Sequence, residues 1–274
     1  MKLLSGILGM TLASAVAIVS VNAADLYRAP EGGGYKDGPA FVAVNWSGLY
    51  VGVNGGYGWS AKDSKLGGTA NGLTPCHTEI CDPSSISDSG AKTFGAAGGF
   101  GGGQVGYNLQ RDRLVFGVEG DIQAAAIDGS AALSLLGGTA SASAKNELDW
   151  FGTLRGRAGV AFDQTLVYFT GGLAFGGVKD SVSATPAVGA TSTASKSDTK
   201  TGYVLGGGVE HLLNPRWSVK AEYQYIDLGS DKLSTTAAGG TAYETTATLD
   251  AEHAYHTVRL GVNYHLHGGY EPLK

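Results

Sequence analysis

Apolar residues recur at every second position in a short series of segments along the chain, the period at which side chains of a β-strand alternate between two faces. Eight such segments are predicted, at 46–59, 94–108, 113–126, 147–162, 165–178, 201–212, 216–228 and 254–266. The connections between them alternate in length. Three are tight, at Leu109 to Asp112, Asp163-Gln164 and Leu213 to Pro215, with the Asn, Asp and Pro that turns favour. Four are long, at 60–93, 127–146, 179–200 and 229–253, and are dominated by Gly, Ala, Ser, Thr and Asp. Loops sorted by length to opposite ends are the mark of a membrane-spanning barrel with short periplasmic turns and long extracellular loops. A soluble sandwich has no such requirement.

The two faces differ in chemistry. In the third segment Leu114, Phe116, Val118 and Ile122 alternate with Gly117, Glu119, Asp121 and Gln123. In the fourth, Leu148, Trp150, Leu154 and Val160 alternate with Asp149, Thr153, Arg155 and Arg157. In the seventh, Trp217, Val219, Ala221, Tyr223 and Tyr225 oppose Ser218, Lys220, Glu222 and Gln224; in the eighth, Val258, Leu260, Val262, Tyr264 and Leu266 oppose Thr257, Arg259, Asn263 and His265. Alternation alone does not say which face points outward. The glycines do, because Gly52, Gly56, Gly58, Gly117, Gly172, Gly206 and Gly208 share the charged face, as expected where long side chains fill a narrow lumen. Trp46, Tyr57, Trp59, Tyr107, Trp150, Trp217 and Tyr264 lie near segment ends and suit interfacial girdles. The fold class read from these patterns is all-β: an eight-stranded antiparallel transmembrane up-and-down barrel.

Composition supports this reading. Gly makes up 45 of 274 residues, without a collagen period. Glycine weakens isolated strands, whereas a closed barrel in lipid must pair every backbone group. Residues 1–23 carry Lys2, an apolar run from Leu3 to Val21 and the small-residue site Val21-Asn22-Ala23, which reads as a cleavable secretory signal. The domain plan is then a periplasmic leader at 24–44, the barrel at 45–266 and a periplasmic tail at 267–274. The net charge of −5 argues against a nucleic-acid partner. Cys76 and Cys81 sit close together in a polar stretch, and export makes a local disulfide the expected state. A metal site would need more than Cys76, His77 and Cys81.

On this register Arg155, Arg157, Lys220 and Arg259 share the lumen with Glu119, Asp121, Glu210 and Glu222. Four charges of each sign predict a paired network and a plugged barrel, since buried charge is tolerated when paired and hydrogen-bonded.

The stretch Trp46-Ser47-Gly48-Leu49-Tyr50-Val51-Gly52-Val53-Asn54-Gly55-Gly56-Tyr57-Gly58, with Leu260-Gly261-Val262-Asn263-Tyr264 near the end, resembles the small outer-membrane immunogenic proteins of the OmpA-like barrel superfamily, a porin-family group. The resemblance covers essentially the whole chain after residue 23. It implies an eight-stranded barrel in the outer membrane with structural, antigenic or, in some relatives, haem-binding roles. It does not carry over a peptidoglycan-binding function, because no such domain follows the barrel. The implied partners are outer-membrane lipid and lipopolysaccharide, the barrel-assembly machinery and an unidentified surface ligand.

Other motifs carry less chemistry. Gly101, Gly103 and Gly106 match G-x-G-x-x-G but lie inside a strand rather than at the start of a helix, so they form no dinucleotide site. His253 and His256, with Asp250 and Glu252, are placed at the outer mouth, where they are either solvated loop residues or a surface ligand for metal or haem. No nucleophile elbow or triad pattern is present. The chain is therefore expected to be a non-enzymatic surface protein without a cofactor, the alternatives being a narrow channel or a ligand receptor.

Overall fold

The computed structural model describes residues 45–73, 85–240 and 242–266. The expected signal segment, Cys76, His77 and Cys81 lie outside the described residues. Among the described residues, ten strands form one antiparallel sheet: β1 (Gly48–Ser60), β2 (Ser64–Leu73), β3 (Ser85–Phe94), β4 (Ala97–Arg111), β5 (Leu114–Leu135), β6 (Ala140–Phe162), β7 (Thr165–Thr185), β8 (Ser192–Asn214), β9 (Trp217–Gly239) and β10 (Tyr243–His265). Eight of them, β1 and β4 to β10, follow one another in space, and β1 pairs with β10 to close the ring. The eight-stranded barrel expected from the sequence is this ring. The remaining two strands, β2 and β3, pair antiparallel and take up most of the segment 60–93, which the sequence pattern predicts to be a loop.

Two-residue turns join the strands at one end, at Asp112-Arg113, Asp163-Gln164 and Pro215-Arg216. Asp112 and Asp163 adopt φ of 56° and 50°, the left-handed backbone that the tightest hairpins require and that Asp tolerates better than most residues. At the third turn the Asn214 side chain accepts hydrogen bonds from the backbone N–H groups of Arg216 (2.9 Å) and Trp217 (3.0 Å).

At the other end the expected long loops are largely strand. Segments 127–146, 179–200 and 229–253 prolong β5 to β10 well past β1 and β4, which stop at Ser60 and Ala97. Beyond those points the cylinder divides into two sheets. β5, β6, β7 and β8 continue together on one side; on the other, β10 takes β2 as its neighbour through Asp250↔Lys65 to Glu244↔Asn71, giving β9-β10-β2-β3. The seam between them opens where β8–β9 pairing ends at Tyr203↔Asp227. The sheets enclose a small-residue core of Ala131, Ala142, Ala144, Val182 and Ala184 against Leu66, Ala237, Ala247, Leu249 and Ala251. Alternating Ala and Ser in Ala140-Ser141-Ala142-Ser143-Ala144 puts alanine inside and serine outside, and the two sheets approach closely because the buried side chains are short.

Local bulges reset the faces where the cylinder changes character. Ala125 and Ala126 stand opposite Asp149 alone, and Leu228 and Gly229 (φ 86°) opposite His253 alone. As a result Leu148, assigned above to the outer face, is buried inside, while Asp149 points out and pairs with Lys179 at 2.6 Å.

Candidate functional site

The barrel is inverted relative to a soluble protein. Val53, Phe169, Leu173, Leu205 and Leu260 on the outer face are 57–78% exposed, whereas all eight lumenal charges named above are at most 8% exposed. A broad apolar belt of this kind needs a lipid environment to cover it. Aromatic side chains mark its borders. Trp217 meets Tyr264 edge-on at 5.1 Å near the tight turns, and Trp59, Tyr223 and Tyr225 gather about His256 at 5.5–5.8 Å toward the other end. From Trp217 to Tyr225 is about 27 Å along the strand, or ~20 Å of height at barrel tilt, comparable to the apolar band of outer-membrane barrels. Trp46, expected in a girdle, is instead fully buried within the lumen at the tight-turn end, among Val115, Leu166, Tyr168 and Leu212.

The inward residues of β9 traverse the interior in layers. Ser218, Lys220, Glu222 and Gln224 belong to the polar layer. Arg155 bridges Glu119, Asp121 (2.8 Å) and Glu222 (2.6 Å). Arg259 reaches Glu222 at 2.5 Å and Asp121 at 3.2 Å, and Lys220 reaches Glu119 at 2.9 Å. Arg157 pairs with Glu210 at 2.7 Å, and its guanidinium lies 4.1 Å from the centre of the Tyr168 ring. Neutral donors complete the carboxylates' shells: Tyr50 to Glu119 (2.6 Å), Thr153 to Asp121 (2.7 Å), Ser218 and Asn263 to Glu210 (2.6 and 2.7 Å). The eight charged residues named from the sequence thus lie together in one network. Gly106 makes room for it, because a Cβ there would fall 2.3 Å from Tyr50.

Above this layer Ile226 and Leu228 join Phe100, Leu148, Phe151, Val204 and Tyr255 in an apolar plug, with Phe100 and Phe151 in edge contact at 5.1 Å. The sequence alternation predicts the charge network but not this apolar seal. Higher still, Asp231 faces inward where β8 and β9 separate, and its carboxylate ties the seam to Lys196 (3.0 Å) and Lys200 (2.7 Å). Burial opposes ionisation of Asp231, but the hydrogen bonds and charges of Lys200 and Lys196 outweigh it and hold its pKa below the ordinary carboxylate value.

His253 and His256 do not form a joint surface site. Inward positions on β10 are the odd-numbered ones, so His253 is fully buried beside Asn146 and Asp180, and His256 faces outward, stacked on Tyr223. The solvated reading fails for His253 for the same reason. The three glycines of the G-x-G-x-x-G match lie within β4, as expected.

The family described as outer membrane protein beta-barrel domain matches residues 11–265. The chain belongs to this family. It is 36% identical over 223 residues to the 31 kDa outer-membrane immunogenic protein of Brucella melitensis biotype 1, covering 80% of this chain and 83% of that protein. The 25 kDa outer-membrane immunogenic protein of Brucella abortus biovar 1 is 27% identical over 235 residues, covering 82% and 84%. Among solved structures, the outer membrane protein OprG from Pseudomonas aeruginosa aligns over 80% of this chain and 97% of its own with 13% identity and a TM-score of 0.42. The protein is an integral barrel of the cell outer membrane. By the arrangement common to such barrels, the two-residue turns face the periplasm and the two-sheet extension stands outside the cell.

Proposed function

We propose that the barrel is a closed, non-conducting anchor whose purpose is to hold a folded β-sandwich at the cell surface, where it acts structurally and as an antigen rather than as an enzyme. The observation that carries this reading is the stack of three seals along the lumen: the Trp46 cluster, the charge network and the Phe100–Phe151 plug. A conducting pore needs a continuous watered path, and each seal interrupts one. The length of the extension supports the display role. Tyr225 to Gly239 spans about 48 Å along the strand, or ~36 Å of height at the tilt of the barrel. The relatives named as immunogenic are consistent with such exposure. Outer-membrane lipid would cover the belt, with lipopolysaccharide in its outer leaflet. The folding partner would be the barrel-assembly machinery.

Planar-bilayer recording of the refolded full chain tests the reading. No steady conductance is expected, and brief flickers at most. A large, stable conductance would overturn it in favour of a channel.

A further inference from the structure

Between the apolar plug and the alanine core lies a small cluster that neither layer explains. Asp180 projects from β7, Asp231 from β9 and His253 from β10, and one ligand atom from each lies within 4.8 Å of the others. His253 Nε2 is 3.0 Å from Asp180 Oδ2 and 3.8 Å from Asp231 Oδ2. The side chains of Asp180 and His253 are 1% and 0% exposed. Both carboxylate oxygens of Asp180 and Nε2 of His253 nonetheless lack a hydrogen-bond partner. Their 3.0 Å contact does not have the angle of a hydrogen bond. An imidazolium–carboxylate pair would in any case leave the second Asp180 oxygen buried and unsatisfied, at a cost of several kcal/mol for a charged group.

We propose that Asp180, Asp231 and His253 bind one divalent first-row transition-metal ion, with zinc as the best-suited probe. One imidazole nitrogen and two carboxylates are a normal donor set for it, and three protein ligands leave a further position for water. Zinc bonds of about 2.0–2.2 Å in a tetrahedron separate neighbouring ligand atoms by roughly 3.4 Å, and the two measured separations straddle that value. The support around the imidazole also fits. Asn146 Nδ2 lies 3.2 Å from His253 Nδ1 and Asn146 Oδ1 faces the Tyr255 hydroxyl; ligation through Nε2 calls for the amide to turn so that its oxygen accepts the Nδ1 proton. Lys196 and Lys200 on Asp231 offset part of the negative charge and set a moderate affinity. Asp231, with an 11% exposed side chain, borders the open β8–β9 seam and provides a way in. Asp180 belongs to one extracellular sheet, Asp231 and His253 to the other. The ion therefore fastens the two sheets together at the base of the surface sandwich.

The test uses the refolded full chain in detergent, titrated calorimetrically with zinc chloride, with the visible absorption of bound cobalt(II) as a second readout. One equivalent should bind. His253→Ala and Asp180→Asn should each weaken binding by roughly tenfold or more, since losing even a group that supports a ligand costs about 10–100-fold. His256→Ala and the double change Cys76→Ser/Cys81→Ser should bind as the parent does. Folding of each variant is checked by its shift in gel migration on boiling. Should His253→Ala fail to fold, the near-isosteric Asp180→Asn decides. Absence of binding, binding unchanged in a folded Asp180→Asn or His253→Ala chain, or binding lost on replacing the two cysteines would each overturn the assignment.

Discussion

Arg157 and Glu210 form the most separable pair of the lumenal network, and their removal distinguishes a dry lumen from a watered one. Their charged atoms are 2.7 Å apart and their side chains 2% and 0% exposed. Replacing Arg157 by Met leaves the Glu210 carboxylate with Ser218 and Asn263 as hydrogen-bond donors and the His265 imidazole 3.7 Å away. Replacing Glu210 by Gln leaves a guanidinium stacked over Tyr168 without its nearest counter-charge. Breaking a buried pair from one side costs about 3–5 kcal/mol, because the remaining charge is stranded. Removing both charges strands neither, so the double variant should be less destabilised than the sum of the singles by about 2–3 kcal/mol. Urea unfolding of the chain in phospholipid vesicles, followed by tryptophan fluorescence, measures all four corners of the cycle. Singles costing under about 1 kcal/mol, the value for solvent-exposed pairs, together with additivity within ~0.5 kcal/mol, would refute the closed lumen.

Other consequences follow from the same geometry. Leu260→Arg, midway between the two aromatic borders on the lipid face, should cost about 2–4 kcal/mol in the same unfolding assay. Gly106→Val must displace Tyr50 from Glu119 and should cost about 1–3 kcal/mol as an overpacked core does. The depressed pKa of Asp231 means that the seam's ionic ties are complete above the ordinary carboxylate pKa and are lost as pH falls through the lower folded value. Hydrogen exchange in 192–202 and 229–239 should therefore accelerate below about pH 4 while the membrane-embedded strands stay protected; uniform protection would contradict the role given to Asp231.

The barrel was legible in the sequence because its faces differ strongly. Along β10, Val258, Leu260 and Val262 against Thr257, Arg259 and Asn263 need no structure to sort them. The same parity, continued back by two positions from Thr257 and Tyr255, places His253 inside and His256 outside; treating the segment as a loop hid that signal. The surface sandwich was not legible because alanine and serine differ little in hydropathy, so Ala140 to Ala144 reads as loop composition although it alternates perfectly. Bulges hid the rest. Asp149 shares parity with Thr153 and Arg155 in the sequence, yet it is the extra residue of β6 against β7, between Leu148↔Val178 and Trp150↔Gly177, and the break in alternation there sends it outward and draws Leu148 into the plug. Trp46 was misplaced because proximity to a strand end suits a girdle and a lumenal cap equally.

Cysteine scanning of β10 in a Cys76→Ser/Cys81→Ser background, in vesicles, probes the wall and its filling together. Fluorophores at Val258, Leu260 and Val262 should be quenched by membrane-confined quenchers, while cysteines at Thr257 and Asn263 in the folded barrel should resist both those quenchers and water-soluble maleimides. Rapid maleimide labelling at Thr257 or Asn263 would contradict the sealed lumen, and even-numbered positions shielded from lipid would contradict the barrel's orientation in the membrane.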